Sequence, residues 1–298
     1  MRATSPEYER IAVLIEQLEA LEQDLLQVEE DQREKAMHQV TMVRTQLVDV
    51  LSEILMTGDD SMRRGAAYGL SKLPDARAVP VLVRALSDPD DTVRGWATEG
   101  LAATRSPSAL VPLVRALRDE SVYVYYSACN ALKAIRSDDL WPLLCQELES
   151  CQVQVKRRII KLIGDLRERR SVERLLSLTR DEDPGVRYEA VEALRKIGDP
   201  AAVETLVRCL DDESRDVRVG AIQALRWMGD DRAVEPLVRV CVENEDLRLL
   251  AIQALREAVG DDAMGPVIDA IRELKQLVRT TSAKVLMTLG RDRKTGVC

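Results

Sequence analysis

Apolar residues recur along this chain in a nine-residue pattern, and VRYEAVEAL at Val186–Leu194 is its clearest copy: Val186, Ala190, Val191 and Leu194 are apolar, and position four is small. Equivalent nonamers begin at Met62, Val93, Val124, Val155, Val217, Leu247 and Val278, which makes eight copies. Neighbouring copies lie 31 residues apart, apart from one interval of 30 between Val217 and Leu247. Steps of three and four put the apolar positions on one helix face. A fixed period over most of the chain describes stacked units, each packing on its neighbours, rather than one closed core.

A second helix precedes each nonamer. Ala78–Leu86 (AVPVLVRAL) sets its pattern, repeated at Ala109–Leu117, Ala202–Leu210 and Ala233–Val242, with Pro80, Pro112, Pro142, Pro236 and Pro266 in the first turn, where a missing N–H costs little. Turns such as Ser87–Asp91 and Asp181–Gly185 supply Asp or Ser caps for the helix of the nonamer. Gly198, Gly229 and Gly260 end several of those helices, and Asp199, Asp230 and Asp261 open the link to the next unit. Residues 7–57 contain neither Gly nor Pro and carry two apolar stripes, Ile11, Leu14, Leu18, Leu21, Leu25 and Val28, then Ala36, Val40, Val43, Leu47, Val50 and Ile54. The stripes fall out of phase across Glu29–Lys35, so the segment reads as two helices, since one would run roughly 75 Å unsupported. Val50, Leu51 and Leu55 lie 31 residues before Val81, Leu82 and Leu86, which makes the second of these helices the first helix of the first repeat. The expected division is an N-terminal helix in 1–35, acting as a cap or as a coiled-coil surface for self-association, a repeat array in 36–290 and a tail in 291–298.

The unit, with P-L-V in its first helix, D-x-x-V-R at the turn, A-x-x-A-L in the second helix and G-D after it, resembles HEAT-like repeats of the phycobilisome-lyase type over about residues 40–290. The resemblance implies an all-α fold, a right-handed α-solenoid of about eight helix pairs, with the second helices along a concave groove and the first helices on the convex side. Its implications for activity are broad, because such repeats serve in bilin lyase subunits, in phycobilisome-degradation factors and in scaffolds of unrelated role.

Composition narrows the function. The net charge is −8, but 12 acidic and 5 basic residues among the first 57 account for most of it. A near-neutral array lacks the basic field that nucleic acid requires. The N-terminus has no signal-peptide core and no apolar run is long enough to cross a membrane, so a cytoplasmic location is expected. The six cysteines form no C-x-x-C pair and read as reduced core residues. His38 is the one histidine, which removes multi-His metal sites and most Ser-His or Cys-His catalysis. The related HEAT-like deoxyhypusine hydroxylase holds iron with His-Glu pairs, and none is present. Neither a catalytic residue, nor a metal ligand, nor a cofactor is expected, and an enzymatic role is disfavoured.

Two features remain as candidate chemistry. Arginine follows the anchor of the nonamer at Arg63, Arg94, Arg187, Arg218, Arg248 and Arg279, and is expected to tie adjoining units by pairing with turn carboxylates; Tyr125 and Lys156 interrupt the series. Positions minus one, two, three, six and ten point away from the buried stripe and, in the fold the resemblance implies, line the groove. They hold Tyr68, Trp96, Tyr123, Tyr126, Tyr188 and Trp227, six of the nine aromatic residues of a chain without Phe. Around them stand Glu99, Asn130, Arg157, Arg158, Lys161, Glu189 and Glu192, and the whole set reads as a surface for a protein or peptide partner. The structural alternative is that the rings pack only against neighbouring units. Trp141, at the position of Val79, is assigned to the core. A bilin is the other reading, with the rings stacking on the tetrapyrrole and Arg157 or Arg158 holding its propionates.

Overall fold

A computed structural model describes residues 6–27, 30–135, 137–150, 152–260 and scattered positions between 264 and 280. Val28, Cys151, Asp261, Pro266, the eighth nonamer from Val278 with Arg279, the tail 291–298 and Cys298 lie outside the described residues. All regular structure among the described residues is helical, and the chain divides into two compact units, residues 1–150 and 151–298.

In the first unit, α1 (Pro6–Gln27) packs along α2 (Glu30–Thr57), so the two out-of-phase stripes form two helices. Leu14 and Leu18 of α1 are buried with Val40 and Leu47 of α2, and Arg44 pairs with Glu22 across the hairpin. Val13, Ile15 and Leu26 stay exposed on α1. The far half of α2 buries Val50, Leu51 and Leu55, acting as the first helix of a pair with α3 (Asp60–Lys72). Two further pairs follow, α4 (Val79–Ala85) with α5 (Asp91–Thr104) and α6 (Leu110–Ala116) with α7 (Val122–Ile135), before α8 (Leu140–Ser150). The second helices α3, α5 and α7 lie side by side. The second unit repeats the plan: α9 (Val153–Leu166), α11 (Pro184–Ile197), α13 (Arg215–Met228) and α15 (Arg248–Val259) form one layer, with α10 (Val172–Leu178), α12 (Val203–Cys209) and α14 (Val234–Glu243) packed on it.

The nonamer supplies the core. Val186, Ala190, Val191 and Leu194 are completely buried, as are Val93, Ala97, Thr98 and Leu101 of the equivalent copy. Thr98 meets its burial by donating its hydroxyl to the Arg94 carbonyl at 2.8 Å, the local bond that lets a hydroxyl sit inside a helix stack. Truncating one such Leu or Ile to Ala removes about 2–5 kcal/mol. Cys129, Cys209 and Cys241 are buried as small hydrophobes, and burial pushes the Cys209 and Cys241 thiols up to about 11. Trp141 departs from expectation: it is half-buried on α8, because an indole overfills a place that Val79 occupies with little exposed surface.

Caps set the helix starts. Asp59, Asp90 and Asp183 accept from backbone amides at the starts of α3, α5 and α11, whereas Ser214 precedes α13 without a side-chain cap. At the other end, one repeat position is held in the left-handed region by Gly198 (φ 70°) and Gly229 (φ 59°) and by Arg105 (φ 49°) and Arg167 (φ 52°) in the copies that lack glycine. The two arginines carry a Cβ penalty that glycine escapes.

The arginines form the ties. Arg94 Nε and Nη2 donate to the two carboxylate oxygens of Asp119 at 2.8 and 3.0 Å, and Nη1 donates to the Asp88 and Pro89 carbonyls at 2.9 and 3.2 Å. Arg187 repeats this with Asp212 (2.8 and 2.9 Å) and the Asp181 and Glu182 carbonyls, and Arg63 reaches Asp88 at 2.8 Å. Lys156, an apparent interruption, pairs with Asp181 at 2.9 Å. Each acceptor lies 25 residues after its cation and also closes its own turn: Asp88, Asp119, Asp181 and Asp212 accept from the amides of Asp90, Ser121, Asp183 and Ser214. Burial alone would raise the Asp181 carboxyl; the Lys156 and Asp183 hydrogen bonds outweigh it and hold it below the usual range.

The series fails at Arg218. The next interval is one residue shorter and α14 is 10 residues long where α12 is 7, so the acidic turn residue is missing. Arg218 Nη1 keeps the Asp212 and Glu213 carbonyls at 2.8 and 3.1 Å, while its buried Nε has no partner.

Two stability experiments follow. Denaturant unfolding of Arg187→Met is expected to show a loss of about 3 kcal/mol, because Asp212 is left buried and unpaired, and adding Asp212→Leu should recover most of it. Arg218→Met should cost less than about 1 kcal/mol, since it removes an unsatisfied donor along with two carbonyl bonds. Arg167→Gly should raise stability by about 1 kcal/mol by relieving the left-handed strain, read from the same unfolding midpoint.

Candidate functional site

Because positions zero, four, five and eight are buried and position one is tied, positions minus one, two, three, six and ten of each second helix remain free to carry function. The structure gathers the residues singled out there into two clusters, one in each unit.

In the first unit the rings of α3, α5 and α7 form a continuous row. Trp96 stands edge-on to Tyr68 with ring centroids 4.9 Å apart and to Tyr123 at 6.3 Å, with interplanar angles of 77° and 78°. These are the edge-to-face distances that the ring quadrupoles favour. Close approach depends on Gly95, where a Cβ would lie 2.0 Å from Tyr123 Cε1. The Tyr123 hydroxyl donates to Glu99 Oε1 at 3.2 Å. Burial first, then the Glu99 charge and the hydrogen bond to it, push the Tyr123 phenol above its ordinary value. Tyr125 is buried and packs tilted against Tyr126, centroid to centroid 5.0 Å. The row is open to solvent: Tyr68 is 49% exposed and Tyr126 50%, with Tyr123 and Asn130 also exposed and Trp96 and Glu99 half-buried.

One member was missed in the sequence. Lys72 places its Nζ 5.2 Å from the Tyr68 ring centroid and 5.4 Å from that of Trp96, within cation–π range of both. It occupies position ten of the first copy, the position of Trp227 in a later one, and it follows Tyr68 by one helical turn. A search restricted to aromatic residues passed over it. Arg64, at position two, is engaged by Asp90 at 2.5 Å.

In the second unit, Arg157 of α9, Tyr188 of α11, Asp216 and Gln223 of α13 and the turn residues Pro184, Gly185 and Ser214 line an open cleft of about 510 Å³. Arg157 Nε is buried without a partner. Arg158, Lys161, Tyr188, Glu189 and Glu192 are half-buried around it. Burial raises the Glu189 carboxyl above its usual value against the pull of Arg157, Lys161 and Lys196. Much of the remaining charge is matched within the unit, Glu192 by Arg195 at 2.7 Å and Asp165 by Lys196 at 2.6 Å. Trp227 is separate, 68% exposed near the end of α13. His38 is exposed on α2.

Stacked helix pairs, a tied turn in each and a patterned inner layer define an α-helical repeat protein. The sequence profile described as HEAT repeats matches residues 18–102, 48–133, 85–146, 141–226 and 197–256, and the chain belongs to the HEAT-repeat family. No curated protein matches the sequence. Among solved structures, a mutant of Kap121p aligns over 85% of this chain and 32% of its own, at 14% identity and a TM-score of 0.61. Importin beta aligns over 87% and 43%, at 14% identity and 0.54. The chain thus spans less than half the length of either, and the likeness is one of fold. The complex of CpcE and CpcF of phycocyanin lyase from Nostoc sp. PCC7120 aligns over 76% and 94%, at 21% identity and a TM-score of 0.38.

The Tyr123 environment gives a titration test. Glu99→Gln removes a neighbouring charge that opposes phenolate formation, so the Tyr123 component of an alkaline absorbance titration, isolated by difference from Tyr123→Phe, should move down in pH. An unchanged midpoint would mean that Glu99 does not act on the ring.

Proposed function

We propose that the protein is a non-enzymatic scaffold or adaptor that holds a partner protein or peptide along the inner, second-helix face of its repeats. One observation carries the reading: Tyr68, Trp96 and Tyr123, from three successive helices, form a solvent-facing edge-to-face row where the repeat needs no large side chain. Large rings ordered by one another yet open to water contribute contact area with little further loss of side-chain freedom, which is how interface anchors work. Tyr126 and Asn130 extend the surface along α7. In the second unit the Arg157 and Tyr188 cleft, with Arg158, Lys161, Glu189 and Glu192 beside it and Trp227 further along α13, supplies a mixed polar surface of the kind that fixes register. Self-association through α1 stays compatible with this role, its exposed Val13, Ile15 and Leu26 offering the surface. The action proposed is in the cytoplasm, since no helix among the described residues is long and apolar enough to cross a membrane.

Trp96→Ala and Tyr126→Ala should each leave far-ultraviolet circular dichroism unchanged and reduce recovery of a co-purifying protein at least about tenfold, as expected of anchors contributing on the order of 1.4 kcal/mol or more. Recovery equal to the unaltered chain would sink the reading. Phycocyanobilin added to the same preparations distinguishes the tetrapyrrole alternative: a shifted absorption band that Arg157→Ala abolishes would replace the partner-protein reading.

A further inference from the structure

We infer that the aromatic row of the first unit is a seat for a basic peptide segment, with a partner's arginine or lysine received against Trp96 between Tyr68 and Tyr123. The inference rests on the partner-binding reading and names the chemistry of the partner.

The chain already places a cation there. Lys72 projects from α3 so that its ammonium lies 5.2 Å and 5.4 Å from the centroids of two different rings. Ring faces carry the negative lobe of the aromatic quadrupole, so the row attracts cations and repels carboxylates. The ionised groups around the row point the same way. Glu99 sits at its Tyr123 end, hydrogen-bonded to the phenol, and Asp91 of α5 accepts from Ser121 Oγ at 2.9 Å and adds a negative field at Tyr123. The nearby arginines are already matched, Arg64 by Asp90 at 2.5 Å and Arg94 by Asp119 at 2.8 Å. The first 57 residues, which form the hairpin of the same unit, add 12 acidic against 5 basic side chains, a field that steers a basic segment toward this unit. Lys72 therefore acts as an internal placeholder: it is an exposed, flexible side chain that holds the site until a partner's cation displaces it.

Displacement gives the proposal its signature, because removing a placeholder strengthens binding whereas removing an ordinary contact weakens it. The test uses the full chain carrying Trp141→Phe and Trp227→Phe, so that emission reports Trp96 alone. It is titrated with a Gly-Ser peptide bearing several arginines and with the same peptide bearing glutamates. The arginine peptide should change Trp96 emission saturably, with affinity falling as salt rises, and the glutamate peptide should not. Lys72→Met should tighten the arginine peptide about threefold, and Glu99→Gln should weaken it by a similar factor, on the scale of one exposed cation–π or ion-pair contact. Circular dichroism checks that each variant is folded, and Lys72→Arg, which retains the placeholder, should leave affinity near that of the parent. Equal response to both peptides, no response to the arginine peptide, or weaker binding in Lys72→Met would overturn the inference. If partner capture still depends on Trp96 while the arginine peptide gives no signal, the scaffold reading stands and this one falls; if Trp96→Ala leaves capture intact, the scaffold reading itself falls.

Discussion

The fold turns on a two-sided aspartate. In each regular unit one carboxylate accepts from the amide two residues on and so shapes the turn that starts the second helix, and it also receives the guanidinium or ammonium from 25 residues earlier. The arginine in turn caps its own turn through Nη1. Four backbone carbonyls or amides and two side chains are thereby satisfied at every junction, with little residual exposure of either charge at Arg94–Asp119 and Arg187–Asp212. Apolar burial between helices is stronger in sum but indifferent to small slides, because leucine and valine tolerate many registers. A bidentate pair with fixed forks does not. The hydrophobic stripe drives the stacking, and the tie sets how far one unit is offset from the next.

Where the tie changes, the chain changes with it. Lys156 keeps a single bond to Asp181 in place of the fork, a point charge doing part of the work of a planar one. At Tyr125 the arginine is absent and the residue 25 later is Ser150 rather than Asp, so cation and acceptor are lost together and no buried carboxylate is left unmatched. At Arg218 only the acceptor is lost, through a one-residue contraction, and a buried donor is stranded. These three outcomes rank as electrostatics requires: losing both partners is tolerable, weakening one is mild, and stranding one is costly.

Much of this was legible in the sequence. The period, the helix pairs, the buried stripe, the hairpin in residues 6–57 and the inter-unit role of the arginines all follow from spacing, because each repeats and each has a local cause. What was not legible depends on lengths of reach rather than on residue type. The acceptor of each arginine could be narrowed to a turn carboxylate, but choosing between its own and the next turn needs the offset between helices. The reading of Lys156 as an interruption failed because an ammonium on a four-carbon stem spans the same gap. Trp141 was placed by alignment with Val79, which ignores that an indole needs more room than a valine leaves. Lys72 was overlooked because its importance lies in neighbours on the next helix, which the sequence separates by more than 20 residues.

The division of labour also explains why the aromatic row can exist. Adjacent helices sit 8–10 Å apart, too far for small side chains on neighbouring outer faces to meet and near enough for an indole flanked by two phenols to bridge them. Gly95 gives up its side chain so that Tyr123 can lean over α5, and the row of rings costs the core nothing because the stripe and the tie use other positions. A chain that excludes Phe from its interior and spends two thirds of its Tyr and Trp on the inner-face positions has separated the residues that hold the stack from those that meet something else. The separation is sharpest in the first unit, where the rings are ordered by contact with one another and with Lys72 before any partner arrives.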